Sequence, residues 1–244
     1  MGDKRLGELP RTTTWLKIIA LLEATSNPAQ IARATSEAAE RGFDLAKKDQ
    51  GVADTAYMLM KLVWSAQGDD FRQELAQLRI SVPDEASLLD IVGAFDETLD
   101  RRMRRRGHRT DLAETARFSA VDALTDVCQG ETGSLFGVSA SDTQQALKRY
   151  ATAERFGAIG KSFFGKFLYR FLDYHLSREL ANHIGRGRQF NINGCLQFKE
   201  ALERHCREMV LIIKDFSDCW PIKAGLRSGL QNVRKLGDRL CHRR

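Results

Sequence analysis

Apolar residues recur along this chain at the three- and four-residue spacing of a single helical face, and no segment alternates apolar and polar positions beside a hairpin turn signal. The pattern predicts an all-α protein built as a multi-helix bundle. A first helix is expected from Thr13 to Thr25. Asn27-Pro28 then offers an N-cap followed by proline at the first helical position, and Ile31, Ala34, Ala38 and Leu45 line one side of a second helix to about Lys48. After Gly51 a third helix is expected to turn Tyr57, Met58, Leu62 and Val63 inward, which makes a helical hairpin. A short helix from Asp69 to Arg79 stops before Ser81-Val82-Pro83, and Ser81 and Asp84, three apart, read as the next start signal. The helix that follows, Asp84 to Arg105, carries Leu88, Val92, Phe95, Leu99 and Met103 as an apolar stripe that has to face a core, and Gly107 ends it.

Beyond it, Leu112 to Cys128 reads as helix and Gly130-Glu131-Thr132-Gly133-Ser134 as a linker. Ser141-Asp142 introduces a helix to about Phe156, and a long helix spans Ala158 to Ile184. Gly185-Arg186-Gly187-Arg188 reads as a loop, and two last helices, Gly194 to Asp218 and Ile222 to Leu240, are separated by Trp220-Pro221. No period of 20 to 50 residues marks a solenoid.

Composition narrows this picture without changing it. With 244 residues, 43% hydrophobic, only 4 Pro and 19 Gly, the chain is long enough to bury a core and is neither collagen-like nor disordered in the main. Charge divides it. Residues 1–142 hold 18 Lys and Arg against 23 Asp and Glu, net −5, whereas residues 143–244 hold 20 against 9, net +11. Two helical subdomains are therefore expected, an acidic one over 1–135 and a basic one over 136–244. Such asymmetry points to an anionic partner or to an oppositely charged protein surface.

The five cysteines are odd in number and lack CxxC spacing, which argues against a disulfide framework and fits a reducing cytoplasm. No stretch approaches the roughly 20 apolar residues of a membrane span. Trp15 to Leu22 is interrupted by Lys17, without the cleavage site of a secretory signal, and Leu6 stands where a myristoylation signal needs Ser or Thr.

Four constellations could carry chemistry. Gly160-Lys161-Ser162 ends like a phosphate-binding loop, but Arg155 occupies the position of the required first glycine and the preceding segment reads as helix, so these glycines more simply mark the start of the long helix. His175, Glu179 and His183 recur every fourth residue on one helical side, where adjacent pairs could chelate a metal. The outer two stand about 12 Å apart, too far for one ion to take all three. No metal site and no cofactor is therefore assigned. Arg101, Arg102, Arg104, Arg105 and Arg106 form the densest charge run; it resembles a phosphate contact and equally a helix end favoured by the macrodipole, with Asp96, Glu97 and Asp100 near enough to neutralise part of it.

The basic half offers the strongest lead. Lys166 and Arg170 stand one turn apart, opposite the core-facing Phe163, Phe164, Phe167 and Phe171. Arg186 and Arg188 sit in the glycine loop beside Phe190. Arg227, Arg234, Lys235 and Arg239 form the outer face of a basic amphipathic helix. No serine elbow, zinc-protease or zinc-deaminase pattern is present, so an enzyme is not the first expectation. The chain reads as a non-catalytic cytoplasmic binding or adaptor protein. Its basic half is expected to contact a nucleic-acid backbone through Lys166, Arg170, Arg186, Arg188, Arg227, Arg234, Lys235 and Arg239. An assembly subunit, or a homo-oligomer whose oppositely charged halves meet, explains the same charges, and a metal-dependent enzyme around His175 is the third expectation.

Overall fold

The computed structural model describes residues 17–18, 30, 34, 46, 48–134, 136–183 and 192–212, with the backbone alone at several positions near the helix ends. Among them run seven helices: α1 (Gln50–Ser65), α2 (Phe71–Gln77), α3 (Leu88–Arg106), α4 (Asp111–Thr132), α5 (Ala140–Tyr150), α6 (Ala153–His183) and α7 (Ile192–Ile212). No strand occurs among the described residues, and the only bridge is an isolated one between Ser87 and Ser139. The protein is all-α, as the spacing of its apolar positions requires. None of these helices is long and apolar enough to cross a membrane.

Each of the first five helices starts where a short polar side chain can accept from backbone N–H groups that have no partner within the helix. Asp49 opens α1 by accepting from Gly51 and Val52, and Asp70 opens α2 by accepting from Gln73. Ser87 and Ser139 open α3 and α5 through reciprocal capping boxes with Asp90 and Asp142. Those hydrogen bonds hold both carboxyls below the usual carboxylate range. Thr110 opens α4, donates to Asp49 Oδ2 at 2.7 Å, and thereby ties two helix N-termini together.

The bundle is organised around α4, which packs against α1, α3, α5 and α6. As far as Ala123 its buried side is made of small residues, Ala113, Ala116, Ser119, Ala120 and Ala123, which lets neighbouring helices come close enough to bring in larger side chains. These include Leu59, Leu62, Phe95, Ile159, Phe163 and Phe167, all fully or almost fully buried. Burying one such side chain contributes roughly 1.5–3 kcal/mol. Closest approach falls at Gly51, where a Cβ would stand 2.3 Å from Ala113 Cβ and 2.5 Å from the His108 carbonyl oxygen. The predicted stripe on α3 is buried throughout.

Buried side chains from both sides of residue 135 share one hydrophobic core, Phe95 and Leu124 from one side, Leu147 and Phe163 from the other. α7 lies antiparallel against the second half of α6, where Phe171, Leu172 and Leu176 of α6 and Phe198, Leu202 and Cys206 of α7 are buried. Gly165 faces Arg207 there, and a Cβ on it would lie 3.6 Å from Arg207 Cα, an ordinary packing distance.

Several boundaries differ from the sequence expectation. α3 begins at Leu88 rather than Asp84, because Ser87 and Asp90 form the capping box and Ser81 and Asp84 do not. Gly130, Glu131 and Thr132 continue α4, which ends at Gly133 in the left-handed region (φ 72°), so the expected linker is largely helix. α5 stops at Tyr150 and a new helix starts at Ala153, with Thr152 Oγ1 accepting from Arg155 N at 3.3 Å. Tyr57, expected inside, is 41% exposed. The expected helices over 13–25 and 28–48, apart from a few single positions, and that over 222–240 lie outside the described residues, as does the 185–188 loop.

Candidate functional site

Lys166 and Arg170 come together in a groove of about 480 Å³ between α4, α6 and α7. Helical spacing builds it: Asp122 and Asp126 stand four apart on α4, and Lys166 and Arg170 four apart on the antiparallel α6, so the four side chains meet as two rungs. Lys166 Nζ lies 2.8 Å from Asp126 Oδ2, and Arg170 pairs with Asp122. The Phe118 ring, 44% exposed, extends this row, with the Arg117 guanidinium 4.5 Å and that of Arg170 5.9 Å from its centroid. From α7, Glu203 and Arg207 close the third wall and pair with each other at 2.5 Å. Lys161 lines the groove, is exposed, and meets no acid among the described residues.

Tyr169 also lines the groove, half-buried. Burial first, then the nearby Asp173 and Glu203 carboxylates, push its phenol up to about 12. The groove therefore presents alternating charge with a cationic excess. Its charged groups give polar and charged ligands partners. Arg186, Arg188, Arg227, Arg234, Lys235 and Arg239 lie outside the described residues.

A second polar cluster lies where α1, α3 and the α3–α4 turn meet. Asp54, with its side chain 11% exposed, accepts from Arg106 Nη1 at 2.7 Å and from Arg102 Nη2 at 3.1 Å on Oδ1. His108 Nδ1 stands 3.0 Å from Oδ2. Of the acids expected to answer the arginine run, Asp100 does so, pairing with Arg104 at 2.7 Å. Asp96 instead meets Arg117 of α4 at 2.6 Å. The sequence reading passed over Asp54. Its signal is an acid set among Val52, Ala53, Thr55 and Ala56, a position that only a partnered carboxylate tolerates.

Gly157-Ala158-Ile159-Gly160-Lys161-Ser162 lies in the interior of α6, with Ile159 fully buried, and offers no loop to curl around phosphates. It marks neither a phosphate loop nor the start of the helix. His175 is buried, with the Phe171 and Tyr174 rings edge-on to it at 5.0 and 5.3 Å, and burial holds its pKa below the ordinary value. The side chains of Glu179 and His183 lie outside the described residues. No group of three metal-ligating side chains comes together among the described residues. Cys128 and Cys206 are buried thiols pushed up to about 12 by burial, the environment of an inert rather than a nucleophilic cysteine.

No family model matches the chain, and neither a curated protein nor a solved structure matches it significantly.

Proposed function

We propose that this chain is a non-catalytic binding protein whose basic half engages a nucleic-acid backbone through phosphate contacts. The observation that carries the reading is the division of charge, net +11 over residues 143–244 against −5 over residues 1–142. The groove supports it, since Lys161 meets no acid among the described residues and the Lys166 and Arg170 pairs are 25% and 39% exposed on the cation side, open to exchange of a carboxylate for a phosphate. Contacts of this kind position a strand without reading its sequence.

Fluorescence anisotropy against single-stranded DNA, duplex DNA and RNA of equal length, across a salt series, tests the proposal. For duplex DNA each phosphate neutralised adds about −0.9 to the slope of log K against log salt. A slope of several units is expected, and replacing Arg227, Arg234, Lys235 and Arg239 with Gln should weaken binding and flatten that slope. Absence of binding at low salt to all three ligands would end this reading.

A second reading, an assembly subunit, draws on the Lys166–Asp126 and Arg170–Asp122 rungs, which make the acidic and basic surfaces of this chain complementary. If the same complementarity operates between copies, sedimentation gives an oligomer that salt dissociates and that binds no nucleic acid.

A further inference from the structure

The cations of the groove are mostly answered one for one by carboxylates; at the end of α3 five arginines face two. Of the five arginines in its last two turns, Arg104 pairs with Asp100, and Arg102 and Arg106 share the single carboxylate of Asp54. Arg101 donates to Thr98 Oγ1 at 3.3 Å, Arg105 is exposed, and neither meets an acid among the described residues. Asp54 anchors Arg102 and Arg106, so these guanidinium groups stand on a rigid element without losing all their positive charge: two cations face one carboxylate. Arg101 and Arg105 follow them around the helix, one turn apart, about 6 Å along the axis.

An exposed aromatic ring lies within the same patch. Tyr57 of α1 is 41% exposed, with Arg102 Cζ and Lys61 Nζ each 5.7 Å from its ring centroid. Both distances approach the roughly 6 Å limit of a cation–π contact, so neither seals the ring. Cations that track a backbone beside an aromatic face that takes an unpaired base are the two components of a single-strand site. A lipid surface is less well served, because the one other large apolar side chain described as exposed on α1 or α3 is Leu89, at the opposite end of α3.

We propose that the C-terminal end of α3, with Tyr57 and Lys61 of α1, is a second nucleic-acid contact that takes single strands: Arg101 and Arg105 meet phosphates and the Tyr57 ring stacks on a base. The inference rests on the nucleic-acid reading above and places a contact in the half of the chain whose net charge is negative.

Arg101→Gln/Arg105→Gln is the informative variant, since neither side chain takes part in the Asp54 cluster; a thermal melt confirms that it folds. Oligothymidylate and a duplex of equal length are titrated over a salt series with the full chain, the double variant, Tyr57→Leu, and a charge-matched control, Arg72→Gln/Lys148→Gln. The double variant is expected to lose about 1.4 from the single-strand salt slope, at about 0.7 per phosphate. Tyr57→Leu is expected to weaken oligothymidylate several-fold with the slope retained and to leave the duplex unchanged. A native chain that binds and a double variant that binds equally well, with the same slope, overturn this inference and leave the basic-half reading standing. Equal losses in the double variant and the control reduce the effect to bulk charge and overturn it too. Loss on vesicles of equal parts phosphatidylserine and phosphatidylcholine, without loss on oligothymidylate, transfers the surface to lipid. A native chain that binds neither nucleic acid ends both readings.

Discussion

Replacing Gly51 with alanine adds one methyl group at the point where α1 meets the start of α4. The new Cβ would stand 2.3 Å from Ala113 Cβ and 2.5 Å from the His108 carbonyl oxygen. Carbon atoms in a packed interior rest roughly 3.5–4.0 Å apart, so the overlap exceeds 1 Å on the first contact. One of the two obstacles is backbone and neither is the far end of a flexible chain, so relief requires α1 to move as a unit. Overpacking of this sort costs about 1–3 kcal/mol, and the helix preference of Ala over Gly returns less than about 1 kcal/mol so near a helix start. A net loss of about 2 kcal/mol is expected, which for a chain of this size lowers Tm by about 4–8 °C. Circular-dichroism melts, with urea titrations to check that the m-value holds, measure it. Gly51→Ala/Ala113→Gly should recover only part of the loss, because the carbonyl contact remains. The internal control is Gly93→Ala on the exposed side of α3, where a Cβ meets nothing within 4 Å and Tm should rise slightly. A Gly51→Ala variant as stable as the native chain would refute the packing argument.

Removing the shared partner in Asp54→Ala should cost about 2–3 kcal/mol in urea unfolding, somewhat under the usual figure for a buried pair because Arg106 is 48% exposed. Asp84→Ala, whose exposed pair with Arg72 is 84% exposed on the acid side, should change stability by less than about 0.5 kcal/mol, and equal effects would contradict the ranking. Asp122→Asn/Asp126→Asn frees Lys166 and Arg170; if those cations touch a nucleic acid, affinity rises and the salt slope steepens, and an unchanged titration removes them from the contact. Burial depresses the pKa of His175 from 6.5, so the unfolded chain binds its proton first. Stability should therefore be full above pH 6.5 and fall as the pH drops through and below that value toward the folded pKa. His175→Gln should flatten this limb, and a limb of the same slope in the variant would show that other groups carry it.

The helices were legible in the sequence wherever a repeating apolar stripe was long and ended at a glycine. Leu88 to Met103 followed by Gly107, in the left-handed region at φ 67°, is the clearest instance. Starts were less secure, because Ser81/Asp84 and Ser87/Asp90 have the same spacing and only the packing of Ser87 beside Ser139, with Leu88 N donating to Val138 O at 3.0 Å, selects the second. The break at Ala151 carries neither glycine nor proline at the boundary and escaped the pattern. Site geometry was harder still. Periodicity sets Lys166 and Arg170 opposite the phenylalanine stripe, yet it does not show that they are only partly exposed in a groove, nor their partners, which sit 40 and 48 positions earlier in the chain, set by the register between α4 and α6. The same holds for Asp54 and its arginines: no local periodicity encodes a pair whose members meet only after two helices have packed.

α7 has α6 as its main neighbour, while α4 is surrounded on four sides. Hydrogen exchange will register this difference as a hierarchy of openings. Amides in α4 exchange only when the whole bundle unfolds, whereas α7 can detach with the core around α4 intact. Detachment takes Glu203 and Arg207 with it and leaves Lys166 and Arg170 on their α4 carboxylates, so the groove loses one wall and keeps two. The groove thus takes its shape partly from a helix that can open without the core, and any ligand that spans α6 and α7 will be detected first as slowed exchange along α7.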